Sequence, residues 1–292
     1  VIAYLINLAT LVCINAILAI TLNFIMGYAG IFSLAHAVFF GVGAYVAAFI
    51  ALQWTDSLLL QLPAAMLIAG MISAALALPA LRVRGDYFVA ASLGFQVLAT
   101  TVFSEWKSVT GGIGGLVGIP PASIAGYSFG DPVQFLALAG VTLALVIVLT
   151  TAIVRSSFGR SLKAIRDSES AALAFGKNVA LIKTLSVFYS TAICAVAGVL
   201  YAAYLSFINV ESFTIDASTL FMAMVIVGGI GTVWGPVVGA VILTLMPAAL
   251  TYLPFLPGTE IGSVQQMIYG LAMVLLMIFK PDGLMGAKQG GA

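Results

Sequence analysis

Residues 2–22 read IAYLINLATLVCINAILAITL, without a single charged side chain. A helix needs about 20 such residues to cross the hydrocarbon core of a bilayer, and similar stretches recur along the chain. They fall at 2–22, 32–52, 58–81, 87–104, 133–154, 184–208 and 263–279, and a longer one at 217–253 is divided by Gly231, Gly235 and Pro236 into two shorter segments, nine in all. These runs are continuously apolar, whereas strands of a membrane barrel alternate apolar and polar residues. The expected fold is therefore all-α: a polytopic transmembrane helical bundle of about nine spans, some short or broken, with residues 1–292 forming one transmembrane domain. Composition agrees, since 62% of the residues are hydrophobic and 7% charged, against roughly a quarter charged in a soluble domain. The surface of such a chain is made for lipid.

The few charges give the orientation, because cytoplasmic loops of membrane proteins collect Lys and Arg. Arg155, Arg160, Lys163, Arg166, Lys177 and Lys183 share one loop, Arg82 and Arg84 another, and Lys280 and Lys288 the final segment, which leaves only Lys107 of the 11 basic residues elsewhere. Loops 105–132, 209–216 and 254–262 hold Glu105, Asp131, Glu211, Asp216 and Glu260, and are expected outside. The parity closes if 217–253 crosses twice, turning at residues 231–236 on the cytoplasmic side. It puts the C-terminus in the cytoplasm and Val1 outside, so a tenth, upstream span restoring a cytoplasmic start is an expectation. The first run is too long, and lacks the basic flank, for a cleaved signal peptide.

Catalytic and metal chemistry find no residues to work with. Cys13 and Cys194 lie inside apolar runs and read as buried thiols. The single histidine, His36, belongs to no metal-binding or triad pattern. The expectation is a protein that is not an enzyme and itself binds no cofactor and no metal. A net charge of +1 gives no sign of a nucleic-acid partner. Glycines 111, 112, 114 and 115 resemble a phosphate cradle, but no Gly-Lys-Ser/Thr follows, and close backbone approach in an outer loop is the better reading. Glu105, Trp106 and Lys107 beside it are candidates for a surface that meets an external protein.

The basic loop, about residues 155–183, is the one long polar segment. Ser161, Leu162, Ala164, Ile165, Ala171, Ala172, Leu173 and Phe175 provide helix formers and periodic apolar positions, so one or two short amphipathic helices are expected, with Gly159 and Gly176 as punctuation. Their apolar stripe must be buried, either on the membrane interface or against a cytosolic partner. A fainter pattern links Met26-Gly27-Tyr28-Ala29-Gly30 with Val227-Gly228-Gly229-Ile230-Gly231, each joining an inward pass to an outward one. Internal repeats of this kind often flank the substrate route of a transporter.

Residues Glu169 to Gly176, ESAALAFG, resemble the Glu-Ala-Ala-x-x-x-Gly loop by which permease subunits of ABC importers engage their ATPases, with Ser170 departing from the pattern. GYAGIFSLAHAVFFGVGAYVAA at 27–48, RVRGDYFVAASLGF at 82–95, TGGIGGLVGIP at 110–120, GRSLKAIRDSESAALAFGKNV at 159–179 and IFKPDGLMG at 278–286 are similar, in order, to branched-chain amino acid permeases of the LivM type. Urea permeases and importers of other small solutes are similar too. The resemblance implies a bacterial-type inner membrane, a second, H-type permease, two cytosolic ATPase subunits that hold ATP and Mg, and an extracytoplasmic solute-binding protein. It also implies that Arg160, Lys163, Arg166, Asp167, Glu169, Ala171, Ala172 and Gly176 form the ATPase-coupling segment.

Asn23, Tyr28, Ser33 and His36 gather polar groups around the Gly27 to Gly30 break and are the candidate substrate pathway, because transporters often hold substrate at broken helices. His36 reads first as a hydrogen-bonding group between helices and second as a ligand contact. Arg82, Arg84 and Asp86 read as anchors of orientation. A sodium-coupled secondary transporter is the alternative class, since sodium sites built from carbonyls and hydroxyls leave no charged signature in the spans.

Overall fold

The computed structural model describes residues 2–80, 85–251 and isolated positions between 264 and 285. The helices are α1 (Ile2–Asn23), running into a π-helical turn (Phe24–Tyr28), then α2 (His36–Gln53), α3 (Leu58–Ala80), α4 (Gly85–Glu105), α5 (Lys107–Thr110) and α6 (Pro132–Arg155). They continue with α7 (Ser157–Asp167), α8 (Glu169–Ala174), α9 (Val179–Leu205), α10 (Ile215–Gly228) and α11 (Gly235–Thr251). Among the described residues, six helices are long and apolar enough to span, and Ile215–Gly228 and Gly235–Ala248 are shorter apolar helices. At about 1.5 Å per residue, the 14 residues of α10 reach roughly 21 Å, short of the ~30 Å hydrocarbon core. The chain is a polytopic helical membrane protein. The expected span at 263–279 is described only at isolated positions, and Arg82, Arg84, Lys280 and Lys288 lie outside the described residues.

The bundle is organised around α2 and α9, of whose spanning windows 72% and 78% are buried, against 22% for α6 and 28% for α4. Between apolar helices in lipid the attraction is packing, so small residues mark the closest crossings. A Cβ on Gly43 would run into the backbone of Ala195, and one on Gly198 into Phe40 and Ala44. Phe40, Tyr45, Phe103 and Phe213 pack ring against ring beside this crossing.

The two ends of the bundle differ in kind. At one, the connections 54–57, 106–131 and 206–214 interlock: Leu116–Val117 pairs antiparallel with Phe207–Ile208, Ser123–Ile124 with Tyr127–Ser128, and Ser57 bridges to Ser123. The glycine loop allows this, since a Cβ on Gly115 would strike the carbonyl of Ile208. The other end collects residues 24–35, 229–234 and, at 156–178, the basic loop. There the last carbonyls of α10 are met by residues of the closing motif: Leu284 N–H donates to Val227 O at 3.0 Å and Met285 N–H to Gly228 O at 2.9 Å. This grouping is the one the charge asymmetry requires. The three tryptophans agree, with Trp54 and Trp106 exposed at the interlocked end and Trp234 at the basic end, as in aromatic belts at the two membrane interfaces.

Candidate functional site

The basic loop folds as a helical hairpin whose corners are set by small polar caps. The Ser156 hydroxyl accepts from Phe158 N–H and Gly159 N–H to start α7, the Ser168 hydroxyl from Ala171 N–H to start α8, and the Asn178 side-chain Oδ1 from Leu181 N–H to start α9. Each satisfies a donor that the first turn leaves free. Gly159 is not the punctuation expected of it. It lies inside α7, where a Cβ would press on the carbonyls of Ile153 and Val154, so its smallness lets α7 fold back on α6. Gly176 does end a helix, at φ 72°, with its N–H on Leu173 O at 2.9 Å and that of Lys177 on Ala172 O at 3.1 Å.

The hairpin has two faces. Leu162 sits in the main core, and Ile165, Ala172 and Val179 form a small cluster with Ile182. Leu173 and Phe175, in contrast, are 57% and 85% exposed. Glu169 accepts from Lys183 Nζ at 2.7 Å, tying α8 to α9. Arg160 donates to Ser157 Oγ and Arg155 O. Ala171 is exposed.

Arg166 reaches away from the hairpin. Its Nε and Nη2 donate to Asp167 Oδ1 at 3.0 and 2.9 Å, and its Nη1 donates to Gly27 O at 2.7 Å, in the π-helical turn. Beside it Lys163 Nζ lies 5.5 Å from the centre of the Tyr28 ring, a cation–π contact. Asn23, one turn earlier, accepts from Gly231 N–H at 2.9 Å and donates to Thr232 O at 2.7 Å. The two glycine motifs of the sequence therefore meet: a Cβ on Gly27 would lie 2.5 Å from Gly231 N.

The four candidate pathway residues thus separate. Asn23 and Tyr28 lie between the basic hairpin and the 229–234 turn. Ser33 accepts locally from Ala35 N–H. His36 lies deeper, its Nε2 2.9 Å from Thr21 Oγ1. Because the Thr21 hydroxyl donates to Leu18 O, Nε2 is the donor in that pair, and Nδ1 faces no partner among the described residues.

Around His36 runs a buried polar seam that reading the sequence missed. Ser190 donates to Thr21 O at 2.6 Å, Ala37 N–H to Ser218 Oγ at 3.0 Å, Ser218 to Gln96 Oε1 at 3.3 Å, and Gln96 Nε2 to Phe213 O at 2.8 Å. Gln96 was the available signal, since an amide in an apolar run must find partners.

The comparisons with known proteins decide what kind of molecule carries this geometry. Residues 4–278 match the family of branched-chain amino acid transport system permease components. The chain belongs to that family. It is 28% identical over 303 residues to the high-affinity branched-chain amino acid transport system permease protein LivM of Escherichia coli (strain K12), covering 96% of this chain and 69% of the relative. The LivM protein of Salmonella typhimurium (strain LT2) is likewise 28% identical, over 307 residues, with 96% and 69% covered. The ribose import permease protein RbsC of Haemophilus influenzae is 26% identical over 295 residues, with 97% and 86% covered. No solved structure matches the chain. As a family permease, the protein carries an amphipathic hairpin at the end where two broken passes meet.

Proposed function

We propose that this permease is the membrane-spanning subunit of an ATP-driven importer that moves branched-chain amino acids or a related small organic solute inward by alternating access. The observation that carries the reading is the hairpin of α7 and α8. One apolar face is packed on the bundle, while Leu173 and Phe175 project outward from the basic end. Side chains of that size, on a segment bound firmly to the protein, form a knob for a cytosolic partner. Positive-inside asymmetry supports a cytoplasmic placement of this end, and the family supports a bacterial-type inner membrane. The partners that fit are two ATPase subunits holding ATP and Mg, an H-type permease beside this chain, and a solute-binding protein at the interlocked end. LivM relatives point to branched-chain amino acids, and the ribose permease shows that cargo varies across such similarity.

The test is copurification with the candidate ATPase subunits, comparing the intact chain with Leu173→Ser, Phe175→Asp, which leaves the buried face and the caps untouched. Capture by the intact chain and its loss in a correctly inserted variant is the expected outcome. No capture by the intact chain, even beside its partner permease, overturns the importer reading.

A further inference from the structure

Two side chains tie together three segments far apart in sequence, and both make these long-range bonds to backbone. Asn23, at the end of α1, presents its amide to the turn between α10 and α11, accepting from Gly231 N–H and donating to Thr232 O. Arg166, near the end of α7, donates to Gly27 O in the π-helical turn that follows α1. Asp167 holds the other edge of the guanidinium, so its direction is set. The stem of Arg166 also fills the space beside Gly30, 3.0 Å from where a Cβ would stand. Its Nη1 lies 3.6 Å from the corresponding point on Gly231.

These bonds exist because the helices are broken. A regular helix spends its amides and carbonyls internally, whereas a π-helical turn and a non-helical turn leave some over, and where these are buried, protein or water must satisfy them. Here protein does. Gly27 packs directly on Gly231, leaving no room for water between them. Each bond can nevertheless be exchanged for one to water at small net cost, which is what a joint that opens repeatedly requires. The glycine crossing of α2 and α9 has no such exchange available, since parting it forfeits packing outright.

We propose that Asn23 and Arg166 are positioning residues for transport, forming a latch through which movement of α7 opens and closes the joint between the end of α1 and the α10–α11 turn. This rests on the importer reading above. A partner that shifts the hairpin pulls on α7, and Arg166 passes that displacement to Gly27. Asn23 then decides whether the α10–α11 turn follows or parts.

The experiment uses the complete assembly of both permeases, ATPases and binding protein in proteoliposomes, and reads solute uptake per ATP hydrolysed. Arg166→Ala should lower that ratio by about tenfold, within the range of coupling between linked sites, while hydrolysis stays within about twofold of the parent. Arg166→Lys should recover part of the ratio, because an ammonium reaches one carbonyl but cannot hold the fork. Asn23→Asp should fall between, keeping the acceptor for Gly231 and losing the donor to Thr232.

Uptake and hydrolysis falling in proportion, or neither changing, in variants that insert and retain their ATPases would reject the latch. A second measurement needs no variant: deuterium uptake at residues 229–234 of the parent should rise between one nucleotide state and the other. Equal protection in both states rejects the latch as well. Absence of ATP-dependent uptake in the parent assembly would instead sink the importer reading, and the latch with it.

Discussion

Glycine makes the closest contacts in two regions of this permease, with opposite consequences. At the α2–α9 crossing, Gly43 and Gly198 bring together two regular helices whose backbone groups are already spent, and the contact is pure packing. At the basic end, Gly27 and Gly231 bring together two interrupted segments whose leftover groups are met by Asn23 and Arg166. The first contact can only hold or fail. The second has alternative partners in water, and so can open. Absence of a side chain thus builds a fixed frame where the helices run on and a movable joint where they stop.

The severest test of that contrast is Gly198→Leu. Its side chain would be driven into the backbone of α2, a strain that cannot be relieved by rotamer, and the expected cost exceeds about 3 kcal/mol. Loss of monodisperse protein after detergent extraction is the outcome anticipated; normal yield and thermal midpoint would show that the crossing is no frame.

Gly27→Ala comes next. Its methyl would meet Gly231 N and Asn23 Oδ1, each 2.5 Å away, so the joint is wedged while the frame stands. A stability loss of about 1–3 kcal/mol should accompany a much larger fractional loss of transport, measured as uptake by vesicles holding equal amounts of folded protein. Equal losses of both would erase the distinction between frame and joint.

Ser168→Ala removes only the cap of α8 and should cost about 1 kcal/mol locally. Faster amide exchange at Ala171, with the thermal midpoint of the bundle unmoved, would show that the hairpin is a separate unit from the frame. Gly94→Ala is the smallest change: this glycine sits in α4 with nothing within 4 Å of an added Cβ. Stability should hold or rise by up to about 1 kcal/mol, since neither frame nor joint is touched.

Much of the fold is legible in the sequence because spanning a bilayer is a local demand. Runs expected at 58–81 and 133–154 appear as Leu58–Ala80 and Pro132–Arg155. The largest discrepancy is instructive. The helix expected from 184 begins at Val179, because the expected run was bounded at the charge of Lys183, whereas the Asn178 cap lets the helix start one turn earlier and carry that charge within it. The π-helical turn at 24–28 had no sequence signature beyond the glycine after it.

The candidate site divides the same way. Leu162 and Ile165 could be read as one apolar stripe because helical periodicity is local. That Leu173 and Phe175 stay uncovered depended on how α8 turns relative to α9. His36 was conspicuous as the sole histidine, yet its partner Thr21, and Ser190 which donates to the Thr21 carbonyl, were ordinary residues within apolar runs.

By itself, the sequence determined that this chain lives in a bilayer as a bundle of spanning helices, and that its long basic loop holds short amphipathic helices. Each of these follows from the solvent a segment meets, a property that neighbouring residues carry among themselves. The tertiary structure alone decided that Asn23 faces Gly231 and Thr232, that Arg166 reaches Gly27, and that the two glycine motifs touch. Those pairings join residues 139 and more positions apart, and they arise because backbone groups left over at broken helices and buried by the packing of distant segments must find partners within the protein.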